Sequence, residues 1–247
     1  SSLTVSGNQF FFIASDDQVT RGLWKSDGTE AGTIRLHDVF TNTDRFLDFT
    51  SQLQPYESGL IFAANDGIHG TELWISDGTI LGTTMLADIW PGSEGSYPHH
   101  FVQFDNRIFF VANEGENGYE LWETDGTEAG TNLLYDFYPG ESGSIPHYLT
   151  VIDNLLYFMA MSSTDGFEPW VSDGTVTGTR QIQDIFPGIG SSSPRYFTGI
   201  DDYVVFFAAD SLHDTEPWSV STLADLTLAQ SLSPNPISKN SPFVITT

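Results

Sequence analysis

The residues of this chain that could do chemistry are mainly carboxylates, and most of them recur at fixed places. The chain has 33 Asp and Glu residues against 8 Lys and Arg, with 6 His and no Cys. One series lies in an Asp-Gly-Thr segment and another lies two residues before a tryptophan: Asp27, Asp77, Asp125 and Asp173, and Glu72, Glu120, Glu168 and Glu216. A catalytic acid needs a unique environment that shifts its pKa, whereas the members of a repeated series all have nearly the same environment. Both series are therefore predicted to support the backbone, with calcium ligation by acidic loops as the alternative.

A smaller set of basic and aromatic residues differs between copies and is the better candidate for a binding site. Each pair follows a proline at equivalent positions of three consecutive copies: His99 and His100, His147 and Tyr148, and Arg195 and Tyr196. Aromatic rings stack on sugars, and His and Arg side chains bind hydroxyl or carboxylate groups. These six residues are predicted to bind a glycan, a surface protein or another acidic ligand. The alternative is that the tyrosines pack between sheets and the histidines bond locally. Since neighbouring residues of a strand face opposite sides, His99 and His100 are not expected to share a metal ion.

The elements that position these residues are five copies of one unit. A tryptophan marks each copy, at intervals of 50, 48, 48 and 48 residues: Trp24, Trp74, Trp122, Trp170 and Trp218. A unit of this length that recurs along a chain cannot cover its own apolar face and stacks against its neighbours. Helical periodicity is missing, and turn residues leave room for about four short strands in each copy.

The third copy illustrates the predicted strands. They lie near Phe101–Phe104, Arg107–Ala112, Glu120–Thr124 and Thr131–Asp136. The second strand is apolar at successive positions, which indicates burial on both faces. The sequence thus predicts an all-β, five-bladed β-propeller over residues 1–228, built from four-stranded antiparallel blades of about 48 residues, with the binding residues at the mouth of its channel.

Two resemblances to known families follow from these motifs. Glu72–Thr79 (ELWISDGT) and Glu120–Thr127 (ELWETDGT), with the Asp-x-x-Pro-Gly that follows, resemble the E-L-W-x-x-D-G-T repeat family of bacterial secreted and surface proteins. Gly22 replaces the glutamate in the first copy, and Pro169 and Pro217 replace the leucine in the last two. The resemblance implies a repeat domain of an exported protein, mostly without a known activity.

The end of the chain carries the second resemblance. Residues 232–246 (LSPNPISKNSPFVIT) are similar to the start of the C-terminal sorting domain of type IX secretion in Bacteroidota. The segment 229–247 is therefore expected to be either the truncated start of such a domain or a proline-rich linker. The first alternative implies the type IX secretion machinery as a partner.

Composition narrows the function classes. A formal charge of −25 would repel phosphates and anionic lipid headgroups, so nucleic acid is not an expected partner. No run of about 18 apolar residues predicts a membrane span. The sequence predicts a non-enzymatic binding or display module, extracellular or on the outer surface of a bacterium, with no cofactor. The alternatives are a glycosidase-like enzyme that uses paired carboxylates and a purely structural repeat of a larger surface protein.

Overall fold

A computed structural model describes residues 3–15, 21–40 and 52–222 of the protein. Every regular element in these ranges is a β-strand, and the strands form five antiparallel sheets, one for each sequence repeat. The predicted all-β class is therefore confirmed. Among these residues there is no helix of the length and apolar character needed to cross a membrane. The sorting-domain segment 229–247 lies outside the described residues.

The chain divides into two compact units, Ser1–Pro146 and His147–Thr247. The first unit contains three sheets, in which strands that are consecutive in sequence pair with each other. They are sheet 1, with β1 (Leu3–Ser6), β2 (Gln9–Ser15), β3 (Arg21–Ser26) and β4 (Ile34–Phe40); sheet 2, with β5 (Leu53–Tyr56), β6 (Gly59–Asn65), β7 (Thr71–Ser76) and β8 (Thr83–Ala87); and sheet 3, with β9 (His99–Phe104), β10 (Arg107–Asn113), β11 (Tyr119–Thr124) and β12 (Asn132–Tyr135).

The second unit contains the remaining two sheets, with the same pairing order. They are sheet 4, with β13 (His147–Ile152), β14 (Leu155–Met161), β15 (Phe167–Ser172) and β16 (Arg180–Gln181), and sheet 5, whose described strands are β17 (Arg195–Ile200), β18 (Tyr203–Ala208) and β19 (Glu216–Ser221). Sheet 5 thus has three described strands where the other sheets have four.

Each sheet has two chemically different faces. Phe62 lies directly across from Trp74 in the β6–β7 pair, so both side chains are on one side, here called the tryptophan face. Ile61 and Ala63 alternate with Phe62 and are on the other side, called the opposite face. Both faces of β6 are buried along its whole length, which explains why successive residues of this strand are apolar.

Within each compact unit, the tryptophan face of one sheet packs against the opposite face of the preceding sheet. Phe62 and Trp74 of sheet 2 share a buried cluster with Phe11 and Leu23 of sheet 1. The same arrangement joins sheet 3 to sheet 2 and sheet 5 to sheet 4. The alanine ten residues before the tryptophan belongs to these clusters in sheets 2, 3 and 5 (Ala64, Ala112 and Ala208). It is fully buried in four copies: Ala64, Ala112, Ala160 and Ala208.

The predicted strand limits hold to within two residues in the third copy. The one informative difference is that β9 begins at His99, two residues before the predicted start. Pairing of β9 with β10 continues past an irregularity opposite Phe109 and Val111, where one extra residue is accommodated. His99 and His100 are therefore strand residues and do not belong to the loop before the strand.

Candidate functional site

A buried glutamate connects each of the three middle sheets to the loop that leaves it. The carboxylate of Glu72 accepts hydrogen bonds from the backbone N–H groups of Ile89 (2.8 Å), Trp90 (3.3 Å) and Ser96 (2.8 Å), and from Ser96 Oγ (2.6 Å). Its side chain is fully buried, and this burial raises the pKa of Glu72 to about 7. All donors belong to the protein itself, so this carboxylate holds a loop in place.

The same arrangement recurs in the next two copies. Glu120 accepts from the backbone N–H groups of Phe137 and Ser144 and from Ser144 Oγ, and Glu168 accepts from Ile185, Phe186 and Ser192. Burial raises the pKa of Glu120 to about 7 and also raises the pKa of Glu168. Glu216, the fourth member, is the first residue of β19. The shared hydrogen-bonding role predicted for this series is thus present in three of its four members.

The Asp-Gly-Thr segments form identical turns. Asp77 Oδ1 accepts from Thr79 N (2.8 Å) and Thr79 Oγ1 (2.7 Å), and Thr79 Oγ1 accepts from Gly82 N (2.9 Å). Gly78 has a φ of 83°, which favours glycine, and a Cβ on Gly82 would overlap the Asp77 carboxylate. These bonds, chiefly the one from the Thr79 hydroxyl, lower the pKa of Asp77. The turn aspartates therefore support the backbone, as the sequence predicts.

The calcium alternative gains no support from the part of the chain that is described. Within 3–15, 21–40 and 52–222, no group of three or more His, Asp or Glu side chains could hold a metal ion. A stable calcium site needs about six or more oxygen ligands. In each turn, the aspartate oxygen that accepts two bonds from its own threonine is already engaged.

The predicted ligand-binding residues fall into two groups, one in each compact unit. His99 and His100 belong to the first unit, and His147, Tyr148, Arg195 and Tyr196 belong to the second. His100 has a φ of 57°, and the rings of His99 and His100 lie 4.8 Å apart. The expectation that these two histidines face opposite sides is therefore wrong, because the left-handed residue and the bulge interrupt the alternation of the strand. His99 Nδ1 is 2.8 Å from the Tyr97 carbonyl oxygen, and its ring packs edge-on against Tyr119.

The second unit repeats this backbone geometry twice with aromatic residues. Tyr148 has a φ of 59° and Tyr196 a φ of 60°, each beside a register shift between an edge strand and its neighbour. A left-handed conformation costs a residue other than glycine roughly 1–2 kcal/mol. Bulges and strained residues of this kind redirect side chains and concentrate at functional sites.

These bulges place two tyrosine rings side by side in solvent. The ring centroids of Tyr148, on β13, and Tyr196, on β17, are 6.0 Å apart, and the residues are 44% and 64% exposed. The predicted alternative, in which both rings are buried between sheets, does not match this exposure. Two exposed aromatic faces at this spacing can cover the C–H face of a sugar ring while their hydroxyl groups bond to its polar edge.

The other two predicted residues flank this pair with different roles. His147 is half-buried next to Tyr148, with the two rings 6.2 Å apart, and burial lowers its pKa. A histidine with a lowered pKa is neutral at physiological pH and offers a hydrogen bond without a charge. Arg195 Nη2 donates to Thr215 Oγ1 at 3.4 Å, at the start of the segment leading into β19. The site is therefore an aromatic pair with one neutral and one cationic hydrogen-bonding neighbour.

Aspartate–histidine pairs were not predicted and lie in the loops between second and third strands. His69 Nδ1 is 2.7 Å from Asp66 Oδ2, and Asp66 Oδ1 also accepts from the backbone N–H groups of Ile68 and His69. His213 and Asp210 repeat the pair in the fifth copy, at 3.0 Å. The signal in the sequence is an Asp-x-x-His segment that ends five residues before the tryptophan. The bonds within each loop give these pairs a bracing role.

Comparisons with known proteins identify the fold. No family model and no curated protein sequence matches this chain. Many solved structures resemble it. Among them are prolyl oligopeptidase B from Galerina marginata bound to a 35mer hydrolysis and macrocyclization substrate (9% identity, TM-score 0.51, covering 90% of this chain and 33% of that one), a puromycin-hydrolyzing peptidase from Mycobacterium tuberculosis (12%, 0.50, 90% and 36%), and TolB from Acinetobacter baumannii (11%, 0.46, 87% and 49%).

The first two of these likenesses show the fold alone, because their identities are low. The protein is a β-propeller, and its five antiparallel sheets fit the five blades that the sequence predicts. The chain spans about a third of the length of the two peptidases it resembles.

Proposed function

We propose that this protein is a non-enzymatic binding module whose second unit recognises a glycan through Tyr148 and Tyr196. The observation that carries the proposal is the exposed pair of rings 6.0 Å apart, each on a strand residue in the left-handed conformation. A strained backbone that holds an apolar ring in water has a cost in stability, and binding offers a reason for retaining it. A single sugar residue is wide enough to contact both rings at this separation.

The flanking residues define the polar part of the proposed site. His147 supplies a neutral hydrogen-bonding group, and Arg195 supplies a charge that would favour a uronic acid or another carboxylate on the glycan. The surrounding protein is strongly acidic, with a formal charge of −25, so one arginine does not favour large polyanions. We therefore propose neutral or singly acidic oligosaccharides as the ligands.

The test is binding to an array of neutral and uronic-acid oligosaccharides, followed by calorimetry with the best one. Tyr196→Ala and Tyr148→Ala should each weaken binding at least about fivefold, because each removes an aromatic anchor that contributes about 1 kcal/mol or more. Tyr148→Phe should retain most of the affinity if stacking dominates. Tyr203→Ala is the matched control, since Tyr203 is also an exposed tyrosine of sheet 5 but has no left-handed backbone.

Two results would refute the binding proposal. One is that no oligosaccharide on the array binds the wild-type protein. The other is that Tyr196→Ala and Tyr203→Ala affect binding equally. Arg195→Ala separates the two ligand classes, because it should weaken only the uronic-acid ligands.

We further propose that the protein works outside the cell, as an exported or surface-displayed module. The E-L-W-x-x-D-G-T resemblance and the high acidic charge support this proposal. Antibody labelling of intact cells tests it, with labelling of lysed cells as the comparison. Labelling that requires lysis would contradict it.

A further inference from the structure

The segment that leads into β17 is fixed to both sheets of the second unit. Ser192 N donates to Glu168 Oε1 at 3.0 Å, and Ser192 Oγ donates to Glu168 Oε2 at 2.7 Å. The Ser192 carbonyl oxygen accepts from Ala209 N at 2.9 Å. Glu168 is part of β15 in sheet 4, and Ala209 follows the end of β18 in sheet 5. One buried residue, Ser192, therefore connects the two sheets.

Two neighbours of Ser192 strengthen this attachment. Ser191 Oγ accepts from Phe167 N at 3.0 Å, and Ser193 N donates to the Phe167 carbonyl oxygen at 3.1 Å. Three consecutive residues, 191–193, are thus bonded to two consecutive residues of β15. The start of β17 is therefore held against sheet 4 by the segment that precedes it.

This attached segment carries one of the two rings of the proposed sugar site. Tyr196 lies four residues after Ser192, and Tyr148 lies on β13 of sheet 4. The attraction between one pair of aromatic rings is weaker than the combined strain of two left-handed tyrosines, so the rings alone do not hold their backbones in place. The separation of the rings therefore depends on how the start of β17 is attached to sheet 4.

We infer that Glu168 is a positioning residue of the sugar site: by fixing Ser192, it sets the 6.0 Å separation between the rings of Tyr148 and Tyr196. Glu168 is fully buried, so it acts on a ligand only through the position of Tyr196. The effect of Glu168 on sugar affinity rests on the proposed function. The separation of the rings can be measured without a sugar.

The first experiment measures the nuclear Overhauser effect between the ring protons of Tyr148 and Tyr196 in the whole protein. The wild type should show this contact, because the rings are neighbours. Glu168→Ala should lose it, since Ser192 then has no acceptor on β15 for its backbone N–H. Glu72→Ala is the matched control: it removes an equivalent buried carboxylate with four bonds from the first unit, and it should keep the contact.

A buried contact in the same spectrum shows that the second unit is folded. The rings of Tyr157 and Phe197 lie 6.3 Å apart, and their nuclear Overhauser effect should persist in Glu168→Ala. Where Glu168→Ala does not fold, Ser192→Ala decides, because it removes only the hydroxyl bond to the carboxylate. Ser192→Ala should weaken the contact between the tyrosine rings, and Ser96→Ala, its equivalent in the first unit, should not.

The second experiment measures affinity by calorimetry, with the oligosaccharide that the array selects. Glu168→Ala should weaken binding about fivefold, because a misplaced Tyr196 ring no longer serves as an aromatic anchor. The double variant Glu168→Ala and Tyr196→Ala should bind no more weakly than Tyr196→Ala alone, because both changes remove the same contact. A role in stability alone would instead add its own loss to that of Tyr196→Ala.

Two results would overturn the inference. A contact between the tyrosine rings that persists in Glu168→Ala and Ser192→Ala shows that the carboxylate does not set their separation. Independent losses of affinity in the double variant show that Glu168 does not act through Tyr196. An array on which no sugar binds refutes the proposed function alone, because the ring contact is measured without a ligand.

Discussion

Replacing Glu72 with glutamine tests whether the buried carboxylate holds the loop between sheets 2 and 3. Glutamine has the same shape but presents one oxygen and one NH2 group. Ser96 Oγ can reverse and accept from the new NH2 group, whereas the backbone N–H of Ile89 then has no acceptor. A buried donor without a partner costs about 1–3 kcal/mol. Opening of this loop should therefore become about 5 to 160 times more frequent, since 1.36 kcal/mol is a factor of ten.

Amide hydrogen exchange of Ile89 and Ser96, corrected for the intrinsic rate at each pH, measures this opening directly. Glu94→Gln is the matched control, because Glu94 lies in the same loop with an exposed side chain and should leave exchange unchanged. Unaltered exchange at Ile89 in Glu72→Gln would show that the carboxylate does not hold the loop.

The raised pKa of Glu72 predicts how the penalty of Glu72→Gln should change with pH. The pKa of Glu72 is raised to about 7 by burial, above its usual 4.5, so the folded loop binds the proton more tightly than the opened loop does. The free energy by which protonated Glu72 stabilises the closed loop is fully present below pH 4.5. It is lost as the pH rises through 7, by up to about 3 kcal/mol. The variant has no such group, so its penalty should shrink between pH 5 and pH 8. A penalty that grows with pH would refute the reasoning, because it would mean that the ionised carboxylate is the preferred form.

Further predictions concern the left-handed tyrosines and the repeated turns. Tyr196→Gly should cost at least about 1 kcal/mol less stability than Tyr203→Gly in urea unfolding, because glycine relieves strain only at the left-handed position; equal costs would contradict it. Gly82→Ala should destabilise the β7–β8 turn by about 1–3 kcal/mol, because the new Cβ overlaps the Asp77 carboxylate. The same change should cost much less in a protein that already carries Asp77→Ala, which removes the overlap. Additive effects in this double-mutant cycle would contradict the prediction. Acid should open the same turn, whereas it stabilises the loop held by Glu72. The Thr79 hydroxyl lowers the pKa of Asp77, so the ionised Asp77 stabilises the turn. This stabilisation is present above the usual pKa of 3.8 and is lost as the pH falls through the folded-state pKa. Amide exchange at Thr79 measures that loss, and protection that rises on acidification would exclude it.

The repeated features of the fold could be predicted from the sequence because they depend on local chemistry. The period of the tryptophans, the doubly apolar second strands and the Asp-Gly-Thr turns each have a direct signature, and the β-propeller they predict is confirmed. The reason for a glycine at position 82 emerges only from the structure, in which a Cβ there would overlap the Asp77 carboxylate.

The backbone of the candidate site could not be predicted, because it breaks the usual rules for its residue types. Tyr148 and Tyr196 adopt positive φ values although tyrosine is not among the residue types, such as Gly, Asn, Asp and His, that favour them, and His100 adopts one inside a strand. The prediction that His99 and His100 face apart assumed regular alternation along the strand and was wrong for this reason. Choosing Tyr148 and Tyr196 from the sequence depended only on their residue types and equivalent positions. Whether they bind a glycan stays a prediction.

The buried glutamates determine where one repeat unit of this protein can be separated from the next. Each one lies in the third strand of its own sheet, yet its carboxylate bonds to Ser96, Ser144 or Ser192, just ahead of the first strand of the following sheet. Cutting the array between two sheets would leave an ionisable group without its donors, even though no strand was interrupted. An engineer who wishes to add, delete or transplant copies should therefore choose junctions that keep each glutamate with the serine 24 positions after it.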